Sequence, residues 1–155
     1  APTATISNAT LTVTVTETIS LNGSAQGATN TFTIPSIDEI FKRIVTCTAS
    51  QTTTLLTFNA AVHGAAGAID LEDCKYIRIT NKDDTNALEL AIVGAATCYQ
   101  VNLHAGQSHI LGSPDDLMLA EEDTSPSFGT MADLQSIQVN PGGNAIDVEV
   151  FAASV

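Results

Sequence analysis

From Leu11 the chain alternates: Leu11, Val13 and Val15 are apolar, and Thr12, Thr14 and Thr16 stand between them. A β-strand sends successive side chains to opposite faces, so this spacing predicts a strand with one oily face and one threonine face. Asn22-Gly23 follows, a strong short hairpin signal, and "TNTFTI" resumes the two-residue period through Phe32 and Ile34. A hairpin fits this stretch best.

The rhythm then breaks. In "IPSIDEIFKRI", Ser36 stands three residues before Glu39 as in a capping box, and Ile37, Ile40, Phe41 and Ile44 are spaced for one helical face. That predicts a short helical turn or a bent linker. "RIVTCTAS" and "TLLTFNAAV" return to β-like composition. "KYIRITNKDDTNALELAIVG" places Ile77 and Ile79 on one face, a polar turn, then Leu88, Leu90 and Ile92 inward on a second strand. "CYQVNLHAGQSHIL" adds two short strands about a turn at Ala105-Gly106, all read as sequential antiparallel neighbours. Ser113-Pro114-Asp115-Asp116 resembles a helix start, with an N-cap, a proline and acids in the first turn. "LQSIQV", the turn "NPGGN" and "AIDVEVFAA" read as a closing pair. About nine short strands with one or two helical turns predict an all-β fold, an antiparallel β-sandwich of jelly-roll-like form. Residues 1–9, uncharged and weakly patterned, are expected as a flexible N-terminal arm ahead of a single domain over 10–155.

Composition narrows the function classes. The net charge is −12, every Lys and Arg lies at or before Lys82, and eleven acids follow with no base. Nucleic acid is bound by neutralising phosphates, so an acidic half-chain disfavours it and anionic lipid alike. No apolar run reaches the length of a membrane span, so no membrane partner is expected. Cys47, Cys74 and Cys98 are an odd set without Cys-x-x-Cys spacing, which reads as small buried hydrophobes in a reducing compartment. The opening Ala-Pro carries no signal core and suits a cytosolic product.

Enzyme status is not expected. Gly-x-Ser-x-Gly and a phosphate-cradling loop are both missing, and no thiol has a known catalytic flank. His104 and His109 flank the Ala105-Gly106 turn and with a carboxylate would make a minimal metal site; exposed or hydrogen-bonded histidines are the default, His63 included. Asp83, Asp84, Asp115 and Asp116, with Glu121-Glu122-Asp123, offer oxygen ligands for calcium, yet EF-hand spacing is absent and solvated loops account for them. No metal and no cofactor is assigned. Without Trp, and with two Tyr and five Phe, the chain lacks an aromatic recognition platform; Tyr99 and Phe128 are the stackers nearest the acidic loops in order.

Taken in order, "NGSAQGATNTFTIPSIDEIFKRIVT", "KYIRITNKDDTNALEL", "VNLHAGQSHIL" and "IDVEVFAAS" resemble small β-sandwich virion proteins of marine tailed bacteriophages, including cyanophages. The likeness spans nearly the whole chain and contains no catalytic motif. It implies a multi-copy structural protein assembled in the infected bacterial cytoplasm and located in the virion. A capsid decoration or cement protein fits best, bridging major capsid protein subunits as a homotrimer, with Thr12, Thr14 and Thr16 as interface candidates. The alternative is a tail or head fibre module that binds host glycan or surface protein through the acidic loops.

Overall fold

The alternation from Leu11 does form a strand, and it pairs within the first third of the chain. The protein is described by a computed structural model covering residues 7–59, 68–121, 124–132 and 134–155. Strand β1 (Ala9–Thr16) leads to two short strands, β2 (Ser20–Leu21) and β3 (Ser24–Ala25), and then to β4 (Thr29–Ile37), which returns antiparallel to β1. Asn22 and Gly23 turn the tip with φ of 52° and 78°, the left-handed pair that a two-residue hairpin requires. Gly27 is needed for a different reason: a Cβ there would lie 1.9 Å from the Glu17 carbonyl oxygen. These four strands make an arm.

The helical turn expected in "IPSIDEIFKRI" is absent. Strand β4 continues to Ile37, and β5 (Glu39–Cys47) starts after one residue. Ser36 is no N-cap; it sits in a bulge with φ of 64°, beside Pro35, whose missing N–H an edge strand tolerates. The apolar residues that mimicked one helical face divide among three places. Ile37 is buried under the arm, Phe41 packs into the sandwich core, and Ile40 and Ile44 point to solvent.

Eight further strands follow: β6 (Thr53–Asn59), β7 (Ala68–Asp70), β8 (Cys74–Asn81), β9 (Leu88–Gly94), β10 (Cys98–Leu103), β11 (Ser108–Gly112), β12 (Leu134–Asn140) and β13 (Ile146–Ser154). With β5 they build two sheets, in the orders β11-β8-β13-β5 and β10-β9-β12-β6-β7. Apart from β7, which runs parallel beside β6, the pairs are nested: β5 with β13, β6 with β12, β8 with β11, β9 with β10. A long hairpin rolled up in this way is a jelly roll. Thirteen strands are thus described where about nine were expected, and nine of them form the sandwich.

Three expected pairs of neighbours are separated by this roll. Strands β8 and β9 lie in different sheets, as do β12 and β13, and β11 pairs with β8 instead of β10. Each member of such a pair has an apolar face, and the faces meet across the interior instead of lying side by side. Ile77, Ile79, Val148 and Val150 come from one sheet; Leu88, Leu90, Ile92 and Ile137 from the other, all fully buried. Local phase shifts are absorbed by bulges. Leu55 and Leu56 are both buried because the β6–β12 register skips one residue there, and a second shift lets Leu134 share the core with Ile137. The helix start expected at Ser113 is a single 3₁₀ turn (Pro114–Asp116), and Ser113 makes no side-chain cap.

Asn81 pins the crossings between sheets. Its side chain is fully buried, donating to the carbonyls of Asn86 (2.9 Å) and Leu103 (3.0 Å) and accepting from the Asp83 N–H at 2.9 Å. Its backbone exchanges hydrogen bonds with Gln107 and Gly106. Two inter-sheet links are tied at this residue. Asn81→Leu strands two carbonyls and one N–H, and urea denaturation is expected to show a loss of about 3 kcal/mol.

Candidate functional site

Thr12, Thr14 and Thr16 fall on the outward face of β1, all exposed. The register sets a second row against them on β4: Thr12 opposite Thr33, Thr14 opposite Thr31, Thr16 opposite Thr29. Thr14 and Thr31 share a hydrogen bond between hydroxyls at 3.1 Å, and Thr29 donates to Thr16 at 3.3 Å. The face is therefore two facing rows of three threonines, and the second row is legible in "TNTFT" only once the register is known. Threonine is stiff about χ1 and suits a strand, so its hydroxyls and methyls are presented in few rotamers. Each of the two strands also keeps an edge unpaired among the described residues, where another chain's backbone can add.

The reverse face fixes the arm to the sandwich. Val13 and Ile37 are buried with Tyr76 and Ala153, and Leu11, Ile34, Phe151 and Val155 pack around them. Tyr76 stands edge-on to Phe151 with centroids 5.9 Å apart, and Phe32 lies 6.4 Å from Tyr76. Beside this contact Arg78 pairs with Glu149 at 2.6 Å, donates to Thr80, and lies over the Phe151 ring. That hydrogen bond and charge hold the Glu149 carboxyl below its ordinary range. The threonine face is thus mounted on a packed base. The expected flexible arm over 1–9 lies mainly outside the described residues, and Ala9 already belongs to β1.

The acidic candidates are engaged locally. The Asp83 carboxylate accepts the backbone N–H groups of Asn86 (2.6 Å) and Thr85 (3.1 Å), which lower its pKa, and Asp84 accepts the Thr85 hydroxyl. Asp115 and Asp116 sit in the 3₁₀ turn, and Glu121 accepts both the N–H and the hydroxyl of Ser127. Among the described residues no three His, Cys, Asp or Glu side chains group as metal ligands. Glu122, Asp123 and His63 lie outside the described residues. Phe128 is 81% exposed, in the long loop before β12, whereas the Tyr99 hydroxyl is held by His109.

The two histidines have separate surroundings. His104 is exposed next to Asn102, while His109 points between the sheets, its Nε2 3.2 Å from the Tyr99 hydroxyl. Cys47 and Cys74 are buried, and burial pushes the Cys74 thiol up to about 11, which keeps it protonated near neutrality. Cys98 departs from the expected burial. It is exposed because its position in β10 alternates with the inward Tyr99.

Tertiary structure also sorts the charges. Lys42 and Arg43 are on β5 and Lys75 and Arg78 on β8, so four of the five bases belong to the sheet that carries the arm, and Lys82 follows β8 directly. The strands of the opposite sheet hold none.

Burial depresses the His109 pKa below its ordinary 6.5. The unfolded chain then binds a proton that the folded chain refuses, so stability present above about pH 6.5 is lost as pH falls through that range. Thermal unfolding followed from neutral pH down to about pH 5 is expected to show this loss, and His109→Gln to remove it while leaving the carboxylate-linked decline at lower pH.

No family model matches the chain, and no curated protein matches it. Among solved structures, it is similar to a chain described as "Bacillus endospore appendages form a novel family of disulfide-linked pili", with 7% identity, a TM-score of 0.39, and coverage of 100% of this chain and 96% of that one. At that level the likeness is too slight to carry a function across.

Proposed function

We propose that this chain is a multi-copy bacteriophage virion structural protein, a capsid decoration or cement protein that bridges neighbouring major capsid protein subunits as a homotrimer. The observation that carries the reading is the arm: six exposed threonines in two registered rows, backed by an apolar face seated on the sandwich. A docking element built this way loses little side-chain entropy on contact, because its rotamers are already restricted. Its hydroxyls form hydrogen bonds across a seam, and its open strand edges add main-chain ones.

Several such contacts on adjacent capsid subunits act together. Weak individual binding becomes strong retention because each bound copy raises the effective concentration of the next contact. A ligand of the assembled shell stabilises that shell by mass action, since it binds the joined lattice and not its separated parts. The chain's resemblance to marine phage virion proteins supports the same reading, and so does the packed interior, which leaves both sheets' inner faces to the core.

Co-sedimentation with expanded and unexpanded capsids of marine tailed phage tests the reading. The unaltered protein is expected to pellet with one capsid form. Thr14→Lys combined with Thr31→Lys, both at exposed positions, is expected to leave the fold intact and weaken capsid binding by about tenfold or more. Failure of the unaltered protein to bind either form would end the decoration reading.

A further inference from the structure

The threonine face is one side of the arm; the other is only half used. Its inner residues near the base, Leu11, Val13 and Ile34, lie on the sandwich, whereas towards the tip Val15 and Phe32 are part-exposed, and Ile19 and Leu21 are 56% and 60% exposed. An open groove of about 300 Å³ separates Val15 from Ile110 on the sheet below. A two-stranded ribbon is marginal in water without cover for its apolar face.

A matching uncovered strip exists on the same molecule. On β5, Ile40 and Ile44 point away from the core at 51% and 62% exposure, with Lys42 between them. Together these two places and Ile110 account for seven of the nine large hydrophobics exposed among the described residues. The molecule's own arm leaves both exposed, because its base packs over β13 and β8; Ile40 borders a groove of about 290 Å³ beside Ala9 and Leu11, and Ile44 lies beyond it.

The two strips are complementary in charge, and the apolar residues of each are four positions apart in the sequence, although β1 itself ends at Thr16. The arm reads Val15, Glu17, Ile19 at alternate positions, and β5 reads Ile40, Lys42, Ile44. Glu17 is the arm's single charged residue from Ser7 to Ile37, and neither it nor Lys42 makes a salt bridge among the described residues. With a net charge of −12, two copies repel over most approaches; the strands of the arm-bearing sheet hold four bases against Glu39, Asp147 and Glu149, those of the other sheet only acids, so an acidic segment meets least repulsion here.

We propose that the distal half of the arm is an intersubunit clasp: it docks on the outer face of β5 of a second copy, Val15 and Ile19 against Ile40 and Ile44, with Glu17 opposite Lys42. This deepens the multi-copy reading and rests on it. The donor and acceptor strips are different surfaces of one chain, so the contact is head-to-tail, the kind that closes into a ring where its rotation permits and otherwise runs on as a filament.

Charge exchange tests the clasp. Light scattering of the full chain over a concentration series is expected to show self-association, weakened by about tenfold or more in Glu17→Lys and in Lys42→Glu, and restored in the double variant. Ile44→Ser is expected to weaken it without affecting folding, since that side chain is exposed. A protein that stays monomeric up to about 100 µM, single variants that associate normally, or a double variant that fails to recover would each overturn the clasp. Capsid co-sedimentation separates the two proposals: a monomer that still binds capsid ends the clasp alone, and an associating protein that ignores capsid ends the decoration reading alone.

Discussion

The C-terminal strand is buried from both sides, and the rest of the molecule is arranged about it. Ile146, Val148, Val150 and Ala152 face the interior of the sandwich, while Phe151 and Ala153 face the arm. Strand β13 also has neighbours on both edges, β5 and β8. Towards its end, from Ala152 to Ser154, this strand has neither a free face nor a free edge, so that stretch is placed only when everything around it is present. Strand β13 is the last sandwich strand and pairs with the first, and thereby closes the roll.

From that constraint follows the asymmetry of the two sheets. The five-stranded sheet packs its inner face into the core, whereas the sheet holding β13 also carries apolar residues on its outer face, and the arm covers part of them. The same sheet gathers four of the chain's five bases, because β5 and β8 lie on either side of β13 although some thirty residues separate them along the chain. Cover is incomplete at Ile40 and Ile44 and at the arm's tip. Exposed apolar strips of this kind on an otherwise acidic surface mark where contact with other protein costs least desolvation and meets least repulsion.

The polar groups of the interior are tied into the fold. The buried thiol of Cys74 is held protonated, His109 is spanned to Tyr99 between the sheets, and Asn81 spends its side-chain hydrogen bonds on the links that cross from one sheet to the other. Asp83, a weak calcium candidate in the sequence, caps the turn that follows Asn81. These groups serve the fold. The surface presents what remains: rows of threonine, open strand edges and the two apolar strips.

The two-residue rhythm was enough to place most strands and to say which residues of each face inward, as in Ile77 and Ile79, Leu88 to Ile92, or Val148 and Val150, because side-chain direction in a strand is a local property. The threonine row of β1 was legible for the same reason, and Asn22-Gly23 marked the turn that sets its partner row against it. What stayed hidden depended on contacts far apart in the chain. That β8 pairs with β13 and not with β9, that Ile37, Phe41 and Ile44 point three ways instead of forming a helical face, and that four of the five bases meet on one sheet were decided by tertiary structure alone. Alternation says that a strand has an apolar face; which other face covers it is settled by burying all of them at once.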